Sequence, residues 1–456
     1  MSQAATALNG ELVGSDVTFS SVSKDTRDIE SGSLYVAIKG ERFDGHAFVA
    51  QAGDAGASGA LVSECQSVQL PQIRVDDTRA ALGKLAAHWR RQFEGKLVAI
   101  TGSNGKTTVK EMTRSILVQA AGADRVLSTV GNLNNDIGMP MTLLELREQH
   151  RFAVIEMGAN HVGEIDYLTH IAQPDAAVIT NAGPAHLEGF GSIDNVASAK
   201  AEIYSGIATG GAAVINADDN YADYWQGVCA SLGEGRRVMR FSMQDPSADV
   251  YGRVARINGQ TDVRLKTPAG EGIVHLAVPG QHNAMNALAA TALCIAIGID
   301  LADILDGLGA FSGVSGRLAS CYTSGGARII NDTYNANPLS TRAAIEVLVA
   351  SGADTWLVLG DMAELGDEEE ALHRQVGERA RDLGVRHLLG TGDLARFAVE
   401  GFGPDGHFFQ DREQLIMQLE QEITEDSVVL VKGSRSMGME QIVDALVRHH
   451  EGQGGR

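Results

Sequence analysis

The chain of 456 residues is poor in cysteine and proline and has no basic surplus. Its four cysteines, Cys65, Cys229, Cys294 and Cys321, lie far apart without a CxxC pair, which argues against a structural zinc site and gives no reason to expect disulfides. Only 9 prolines accompany 53 glycines, so the glycine excess does not indicate a disordered Pro/Gly-rich chain. It indicates many tight turns between regular elements.

Acidic residues dominate the charge, with 58 Asp and Glu against 37 Lys and Arg and a formal net charge of −21. This balance is unfavourable for binding a nucleic acid strand, so we expect no nucleic-acid partner. The longest apolar stretch, 287–299, is too short to span a bilayer. The segment 1–14 has neither the basic nor the apolar region of a signal peptide. We therefore expect a cytoplasmic protein without a membrane span. A monomer is a separate expectation, which these features do not establish.

The chain divides into three regions that differ in their pattern of predicted strands, turns and helices. A chain of this length also suggests about three domains. Residues 1–82 carry short β-type runs at 33–38, 60–62 and 72–75 before a helical run near Thr78, which predicts a small α/β domain. Residues 83–312 and 313–456 each alternate strand, turn and helix. We expect an α/β protein of three domains, in which the central domain has a parallel sheet and the C-terminal domain is Rossmann-like.

The central region has continuous rather than alternating apolar runs, which favour a parallel sheet covered on both faces: 97–100, 153–155, 176–179 and 213–215. Each run ends in polar residues. In an open α/β sheet, ligands bind beyond the carboxyl ends of the strands, so we expect the chemistry at this edge. The alternating stretch 248–275 predicts an appended antiparallel ribbon with a turn at Asn258-Gly259.

The C-terminal region repeats this pattern. Its apolar runs are at 328–330, 356–359, 387–389 and 428–431, and its predicted helices lie near 340–350, 368–383, 393–400, 412–423 and 438–449. Polar residues again follow the strands. A second ligand-facing edge predicts an active site between domains.

The sharpest motif is TGSNGKTT at 101–108, between the strand LVAI and a helix. Glycines let backbone N–H groups approach phosphates, and the helix N-terminus favours an anion. Lys106 would neutralise the phosphates and Thr107 would hold Mg²⁺. Ile100 stands where the longer Walker spacing has glycine, so this is the shorter GxxGKTT form. The predicted ATP-binding residues of the loop are Gly102, Ser103, Asn104, Gly105, Lys106, Thr107 and Thr108.

A phosphate loop alone leaves a switch, a kinase, an ATPase and a ligase open. Glu156, at the end of the strand AVIE, would supply a carboxylate to Mg²⁺, or it would form a strand-end salt bridge instead. His186 follows the next strand in a Gly/Pro turn, and Lys200 lies in a helical run. Taken alone, such residues are most often a hydrogen-bonded loop histidine and a solvent-exposed lysine.

Several motifs together resemble, in order and spacing, those of the Mur ligases: TGSNGKTT, VIEMGANHVGEI, NAGPAHLEGFGS with Lys200, GQHNAMNALAA, SGR at 315–317 and NDTYNANP at 331–338. Mur ligases are three-domain, ATP-dependent, amide-forming enzymes of peptidoglycan precursor synthesis. The resemblance covers nearly the whole chain.

Within the family, segment 23–48 resembles the type shared by the enzymes that add the third residue and the following dipeptide. The stretches GNLNNDIGMP, LGDMAELGDEEEALHRQVG and KGSRSMGME resemble the D-alanyl-D-alanine-adding member. The DNPR-like signature of the diaminopimelate-adding relative is missing, so that enzyme is the runner-up. A folylpolyglutamate synthetase-like ligase and a P-loop nucleotide switch also stay open.

The resemblance implies that ATP phosphorylates the terminal carboxylate of UDP-N-acetylmuramoyl-tripeptide and that the amine of D-Ala-D-Ala attacks the acyl phosphate. The products would be ADP, phosphate and the UDP-linked pentapeptide. By the same resemblance, Lys106, His186, Lys200 and Arg317 are catalytic, and Mg²⁺ is held by Thr107, Glu156, His186 and Lys200. That Lys200 is carbamylated is a hypothesis that the resemblance suggests.

The resemblance also places His282, Asn283 and Asn286 at the adenine, Arg317 at the phosphoryl group and Asp332 at the ribose. Residues 283–290 could instead cap and begin a helix, a role that is compatible with binding adenine. Arg317 could form a domain-interface salt bridge instead. Candidate substrate contacts are Asp25, Thr26, Arg27, Asn134 and Asn135 for the UDP-sugar-peptide, and Asn335, Asn337, Ser434 and Arg435 for D-Ala-D-Ala. The first set could equally have a structural role in turns. We expect the C-terminal domain to close about a hinge near 309–316.

Overall fold

The structure is a computed structural model that describes residues 1–40, 42–233, 235–257, 260–352 and 354–448. Its strands form three sheets of five, nine and six strands, which follow one another along the chain. The three-domain α/β architecture expected from the sequence is confirmed. Among the described helices, none combines the length and apolar character needed to cross a bilayer.

The N-terminal sheet has the order β1-β5-β4-β3-β2, with only β1 antiparallel to its neighbour. Helix α3 begins where the Asp77 carboxylate accepts hydrogen bonds from the amides of Arg79 and Ala80. The strand predicted at 33–38 ends at Val36. The elements are α1 (Ser2–Leu8), β1 (Glu11–Val13), β2 (Ser21–Ser23), β3 (Ser33–Val36), α2 (Val49–Asp54), β4 (Gly59–Val62), β5 (Gln72–Arg74) and α3 (Thr78–Arg90).

The central region contains the largest sheet. Its elements are β6 (Lys96–Thr101), α4 (Lys106–Ala121), β7 (Val126–Ser128), α5 (Gly138–Leu144), β8 (Phe152–Glu156), α6 (Glu164–Ala172), β9 (Ala176–Ile179), α7 (Leu187–Phe190), α8 (Ile193–Ala201), β10 (Ala212–Asn216), α9 (Ala222–Ser231), β11 (Arg237–Ser242), β12 (Val250–Ile257), β13 (Gln260–Thr267), β14 (Gly270–Leu276), α10 (Gln281–Ala296) and α11 (Leu301–Ala310).

The order in this sheet is β14-β13-β12-β11-β10-β9-β6-β8-β7. The pairs from β7 to β12 are parallel, whereas β12, β13 and β14 pair antiparallel. The predicted parallel sheet and appended ribbon are confirmed. The predicted turn at Asn258-Gly259 lies outside the described residues.

Both faces of the central sheet are buried, as the continuous apolar runs predict. On β6, Val98 and Ile100 pack into a core with α4, α10 and α11. The intervening Leu97 and Ala99 face a second core with α5, α6, α8 and α9. Because successive side chains of a strand point to opposite faces, each apolar residue of the run contributes to one of the two cores. This packing fixes the end of β6, where the phosphate loop begins.

The C-terminal sheet has the order β15-β16-β20-β17-β18-β19, with β15 antiparallel and the rest parallel. The elements are β15 (Ala319–Tyr322), β16 (Arg328–Asp332), α12 (Pro338–Val349), β17 (Asp354–Leu359), α13 (Glu369–Leu383), β18 (His387–Thr391), α14 (Ala395–Phe402), β19 (Gly406–Phe409), α15 (Arg412–Glu422), β20 (Ser427–Lys432) and α16 (Glu440–Arg448).

Two features of this domain differ from the sequence prediction. The edge strands β15 and β19 were not predicted, because neither is a continuous apolar run and both have partly exposed side chains. The last helix begins at Glu440 rather than at Gly438, since Gly438 has a φ of +58°, which a right-handed helix does not accommodate.

Candidate active site between the central and C-terminal domains

The phosphate loop connects β6 to α4 through four residues that contain two glycines. Gly102 has a φ of +145°, and a Cβ there would lie 1.9 Å from Oγ1 of Thr180. Gly105 has a φ of +82°, and its Cβ would lie 2.5 Å from Oδ1 of Asn286. Both positions therefore need glycine for conformation and for space. The loop ends at the N-terminus of α4, where backbone N–H groups favour an anion.

The Lys106 side chain folds back over this loop. Its Nζ donates hydrogen bonds to the carbonyl oxygens of Gly102 at 2.7 Å and of Ser103 at 3.4 Å. Burial lowers the pKa of Lys106, while the Glu156 carboxylate opposes that shift. The ammonium is thus held at the position where the loop amides and the start of α4 would receive phosphate groups.

Glu156, at the end of β8, is held on both carboxylate oxygens. Oγ1 of Thr107 donates to Oε2 at 2.9 Å, and Nδ2 of Asn134 donates to Oε1 at 2.8 Å. The Glu156 amide donates to Oγ1 of Thr129 at 3.0 Å. The two predicted magnesium ligands from the loop and from β8 therefore lie in contact. Asn134, predicted to contact substrate, uses its amide to orient Glu156.

His186 lies just before α7 with a left-handed φ of +56°. Its Nδ1 is 2.5 Å from Oε2 of Glu364, which belongs to the C-terminal domain. Burial lowers the pKa of His186, and the nearby Lys106 adds to that effect. The histidine therefore lies at the contact between the two larger domains.

Lys200, on α8, is only 2% exposed. Its ammonium lies 5.5 Å from the centre of the Phe190 ring, and within the described residues no carboxylate pairs with it. Burial, followed by repulsion from Lys106, lowers the pKa of Lys200 to about 7. A lysine in this environment is not the solvent-exposed residue that its helical context alone suggests.

The start of α10 lies against the phosphate loop. Asn286 contributes the oxygen that would meet a Cβ at Gly105, and its Nδ2 donates to Oδ1 of Asn283 at 3.3 Å. Nδ2 of Asn283 in turn donates to the Pro279 carbonyl at 2.8 Å. Burial lowers the pKa of His282. The three residues that the resemblance assigns to adenine thus form one cluster beside the loop.

Arg317 crosses from the C-terminal side to the phosphate loop. Its Nη2 donates to Oγ1 of Thr107 at 3.0 Å, and its guanidinium lies 4.3 Å from the centre of the Tyr334 ring. The next residue, Leu318, has a φ of +53°, an uncommon conformation for a bulky side chain. Within the described residues, the alternative of a domain-interface salt bridge is not observed for Arg317, which is held by a hydrogen bond and by the Tyr334 ring.

Asp332 and Lys432 end the neighbouring parallel strands β16 and β20 at the same register. Nζ of Lys432 donates to Oδ2 of Asp332 at 2.5 Å and to the Asn335 carbonyl at 2.9 Å. Oδ1 of Asp332 accepts the amide of Leu318 at 3.2 Å. Asp332 therefore supports the backbone next to Arg317.

These residues surround a cavity of about 690 Å³. Most predicted site residues line it: Ser103, Asn104, Gly105, Lys106, Thr107, Thr108, Asn134, Asn135, Glu156, His186, His282, Asn283, Asn286, Arg317, Asp332, Asn335 and Asn337. The predicted active site between domains therefore coincides with a real cavity.

Seven predicted residues are not part of the cavity wall: Gly102, Lys200, Asp25, Thr26, Arg27, Ser434 and Arg435. Asp25 pairs with Arg27 in the N-terminal domain, and this hydrogen bonding lowers the pKa of Asp25. Ser434 is buried and its Oγ accepts the Ala363 amide at 2.7 Å. Nη1 of Arg435 lies 3.4 Å from Oε1 of Glu440. Asp25, Arg27, Ser434 and Arg435 thus have local partners, and the roles of all seven residues stay predictions.

Sequence reasoning missed three residues of the wall with clear roles: Tyr334, Glu364 and Lys432. Lys432 follows an apolar strand run in the same way as the predicted polar residues, and Tyr334 and Glu364 lie in the family-like stretches NDTYNANP and LGDMAELGDEEE, but no role was assigned to any of the three. Arg79 and Asp136, also in the wall, form an ion pair between α3 and the loop before α5, with Nη2 of Arg79 2.8 Å from Oδ1 of Asp136.

In the described part of the chain, no cluster of three or more His, Cys, Asp or Glu residues could bind a metal ion without other ligands.

Family models match most of the chain. A Mur ligase family catalytic domain matches residues 18–90, the Mur ligase middle domain matches 100–294, and the Mur ligase glutamate ligase domain matches 316–435.

Curated relatives of this chain bear the name UDP-N-acetylmuramoyl-tripeptide--D-alanyl-D-alanine ligase. The protein of Escherichia coli K12 is 46% identical over 449 residues, which is 98% of each chain. The protein of Haemophilus influenzae is 43% identical over 453 residues, which is 97% of each chain.

Solved structures agree with these matches. MurF from Acinetobacter baumannii superposes with a TM-score of 0.91 at 38% identity, over 98% of each chain. MurF of Thermotoga maritima in complex with ADP gives 0.82 at 26% identity, covering 93% of this chain and 96% of the other. A folylpolyglutamate synthase of Mycobacterium tuberculosis gives 0.64 at 17% identity over 80% of this chain and 94% of the other, and shows a shared fold alone.

Proposed function

Because the chain belongs to the Mur ligase family, we propose that it joins D-alanyl-D-alanine to UDP-N-acetylmuramoyl-tripeptide at the expense of ATP. The chain is an ATP-dependent ligase that forms an amide bond in peptidoglycan precursor synthesis. One observation supports the assignment above all: the E. coli relative that bears this name aligns over nearly the full length of both chains at 46% identity. The cavity between the phosphate loop and the C-terminal strand ends supports this assignment.

The chemistry has two steps. The terminal carboxylate of the UDP-linked tripeptide attacks the γ-phosphorus of ATP, so an acyl phosphate forms and ADP leaves. The amine of D-Ala-D-Ala then attacks the acyl carbon, and the tetrahedral intermediate releases phosphate while the nitrogen loses a proton. Both substrates of the first step are anions, so positioning and charge neutralisation must dominate.

Lys106, Arg317 and the N-terminus of α4 supply positive charge at the cavity of a chain whose net charge is −21. Lys106 would bind the β- and γ-phosphates, which would replace the loop carbonyl oxygens as its partners. Arg317 donates a hydrogen bond to the hydroxyl of Thr107, and its guanidinium would stabilise the charge that builds up on the transferred phosphoryl group. The cluster of His282, Asn283 and Asn286 would bind adenine, and Asp332 would position the ribose side of the site.

The residues present fit a magnesium ion at the phosphate loop, because Mg²⁺ prefers one or two carboxylates together with phosphate oxygens and water. Thr107 and Glu156 already share a hydrogen bond of 2.9 Å, and both side chains offer oxygen ligands. A bound Mg²⁺ would polarise the phosphoryl group and neutralise its developing charge. The chain's contribution is to hold the Glu156 carboxylate through Asn134 and Thr107.

A second cation would be held by His186 and Lys200, and here the fit depends on chemistry at Lys200. An ammonium repels a cation, whereas a carbamate is an anionic oxygen ligand. A neutral amine adds to CO₂ with formation of an N–C bond and loss of one proton. The buried amine, with no carboxylate paired to it within the described residues, favours this reaction. A carbamate signal after incubation with ¹³C-bicarbonate, absent in Lys200→Ala, would support the modification, and full activity of Lys200→Ala would refute it.

The substrate-facing roles of Asp25, Thr26, Arg27, Asn134 and Asn135 toward the UDP-sugar-peptide, and of Asn335, Asn337, Ser434 and Arg435 toward D-Ala-D-Ala, belong to the same proposal. Closure of the C-terminal domain on ATP, about the linker near 309–316, would exclude water from the acyl phosphate. The proposed domain limits are 1–82, 83–312 and 313–456.

ADP release separates the candidate functions. We expect turnover only when ATP, UDP-N-acetylmuramoyl-tripeptide and D-Ala-D-Ala are all present, with the UDP-linked pentapeptide as product. Turnover with meso-diaminopimelate or glutamate in place of D-Ala-D-Ala would indicate one of the related ligases. ATP hydrolysis that needs neither amide partner would indicate a nucleotide switch.

A further inference from the structure

Glu364, in the C-terminal domain, contacts His186 of the central domain, which is a predicted cation ligand. Oε2 of Glu364 lies 2.5 Å from Nδ1 of His186, an ion-pair contact rather than a well-aligned hydrogen bond. The backbone amide of Glu188 also donates to the Glu364 carbonyl at 3.4 Å. The Glu364 side chain and its backbone therefore both contact the segment that carries His186.

Both partners have an unfavourable backbone conformation. His186 has a φ of +56° and Glu364 a φ of +64°, a region that residues with a side chain seldom adopt. Such conformations persist where the surrounding structure requires them, and they cluster at functional sites. Here the two strained residues face each other across the domain boundary.

The contact has a clear chemical meaning for a histidine that binds a cation. Ligand histidines usually present one ring nitrogen to the metal and the other to a carboxylate, which fixes the ring orientation and raises its basicity. Glu364 engages Nδ1, which leaves Nε2 for the cavity that His186 helps to line. The carboxylate comes from the other domain, so this arrangement exists only while the two domains are in contact.

We propose that Glu364 is a positioning residue that orients His186 for a divalent cation when the C-terminal domain closes, so that cation binding and closure are coupled. This inference rests on the proposed function. It extends that function to a residue outside the phosphate loop, in the segment LGDMAELGDEEE.

The contact is suited to testing by substitution, because it contributes little to the fold. The Glu364 side chain is 51% exposed and the His186 side chain 28% exposed, and ion pairs this exposed to solvent stabilise a protein only weakly. Glu364→Gln keeps the size of the side chain and removes its charge. Glu368→Gln is a matched control, since Glu368 is exposed, lies four residues further on, and makes no ion pair or side-chain hydrogen bond with the described residues.

The experiment measures Mn²⁺ binding to the full-length chain with β,γ-imido-ATP by electron paramagnetic resonance. We expect wild type and Glu368→Gln to show ¹⁴N coupling from a histidine ligand, which His186→Ala removes. Glu364→Gln should bind the histidine-coordinated Mn²⁺ about 10- to 100-fold more weakly, the usual effect of losing a carboxylate behind a ligand. Unchanged Mn²⁺ affinity and ¹⁴N coupling in Glu364→Gln, or no ¹⁴N coupling in wild type, would overturn the proposal.

Small-angle scattering of the same samples tests the coupling to closure. We expect Mn²⁺ with the nucleotide analogue to reduce the radius of gyration of wild type and of Glu368→Gln more than that of Glu364→Gln. An equal reduction in all three would overturn the coupling. The ADP-release assay of wild type is separate: if it failed to depend on D-Ala-D-Ala, the proposed function would fail whatever the Mn²⁺ measurements showed.

Discussion

The side chain of Asn337 joins the C-terminal domain to the phosphate loop, because its Nδ2 donates a hydrogen bond of 2.8 Å to Oδ1 of Asn104. The same side chain caps helix α12, where its Oδ1 accepts the Ser340 amide at 2.9 Å. The oxygen thus stabilises a helix and the nitrogen holds two domains together. This division allows the two roles to be separated by substitution.

Asn337→Ser keeps a capping oxygen and loses the amide donor, whereas Asn337→Ala loses both. We expect Asn337→Ala to lower the free energy of unfolding by about 1 kcal/mol, the usual value of a cap, and Asn337→Ser to remain close to wild type. Both should raise the KM for ATP by about fivefold, since a hydrogen bond contributes about 1 kcal/mol. Chemical unfolding and steady-state kinetics measure the two effects. An unchanged KM in both variants would show that the contact with Asn104 has no role in nucleotide binding.

The buried pair of Lys432 and Asp332 should behave as a unit. Removing one partner of a buried ion pair costs about 3–5 kcal/mol, because the other charge is left without compensation. We expect Lys432→Met and Asp332→Asn each to destabilise the chain, and the double variant to be more stable than the sum of the single effects predicts. Urea unfolding of wild type, the two single variants and the double variant measures the coupling energy between the two residues. Additive effects would mean that the 2.5 Å contact carries no coupling energy.

The sequence best predicts features that depend only on residues close together along the chain. The phosphate loop is recognisable because its strand, glycines and helix lie within one continuous segment, and the structure has β6 ending at Thr101 and α4 beginning at Lys106. The continuous apolar runs likewise predict the buried parallel strands.

Contacts between distant segments could not be predicted in this way. Lys432 meets Asp332 because β16 and β20 are neighbours in register, although 100 residues separate them. Asn134 contacts Glu156 because β7 pairs with β8 and so places the loop after β7 beside the end of β8. Strand order and register decide both partnerships, and neither is readable from a local pattern. For the same reason Glu364, in a segment that resembled the family without an assigned role, was missed.

His373 should make the C-terminal domain sensitive to acid. Its Nε2 accepts the Met362 amide at 2.9 Å and its Nδ1 lies 2.7 Å from the Glu369 carbonyl, so the imidazole must be neutral. Burial lowers the pKa of His373 in the folded chain. Below a pH of about 6.5 the unfolded chain takes up a proton that the folded chain does not, so stability falls as the pH falls through this window. Above this window, His373 is neutral in both the folded and the unfolded chain and does not make the stability depend on pH.

Urea unfolding of wild type and His373→Gln at two pH values measures this effect. Between about pH 7.5 and 5.5, wild type should lose more of its free energy of unfolding than the variant loses, by at most about 1.4 kcal/mol for one group with an unfolded pKa of about 6.5. Equal losses would show that His373 is not responsible. Because Met362 lies two residues before Glu364, the same titration should loosen the segment that contacts His186.

Gly102 provides the strictest test of the phosphate loop. An alanine there would adopt a φ of +145° and place its Cβ 1.9 Å from Oγ1 of Thr180, the atom that donates to the Asn104 carbonyl at 2.6 Å. Gly122, at the other end of the same helix, has a φ of +93°, and a Cβ there would meet no atom of the described residues within 4 Å. The two glycines share a positive φ and differ in the space around them.

We expect Gly122→Ala to cost about 1 kcal/mol of stability through its backbone alone and to leave the affinity for an ATP analogue unchanged. Gly102→Ala should lose most of that affinity, because the loop must move away from Thr180 and its amides then no longer converge on a phosphate. Adding Thr180→Ala should not restore binding, since it removes the collision together with the hydrogen bond that shapes the loop. Calorimetric titration, with circular dichroism to check folding, measures all three variants. Wild-type affinity in Gly102→Ala would mean that the loop tolerates a side chain and that its closeness to Thr180 does not govern nucleotide binding.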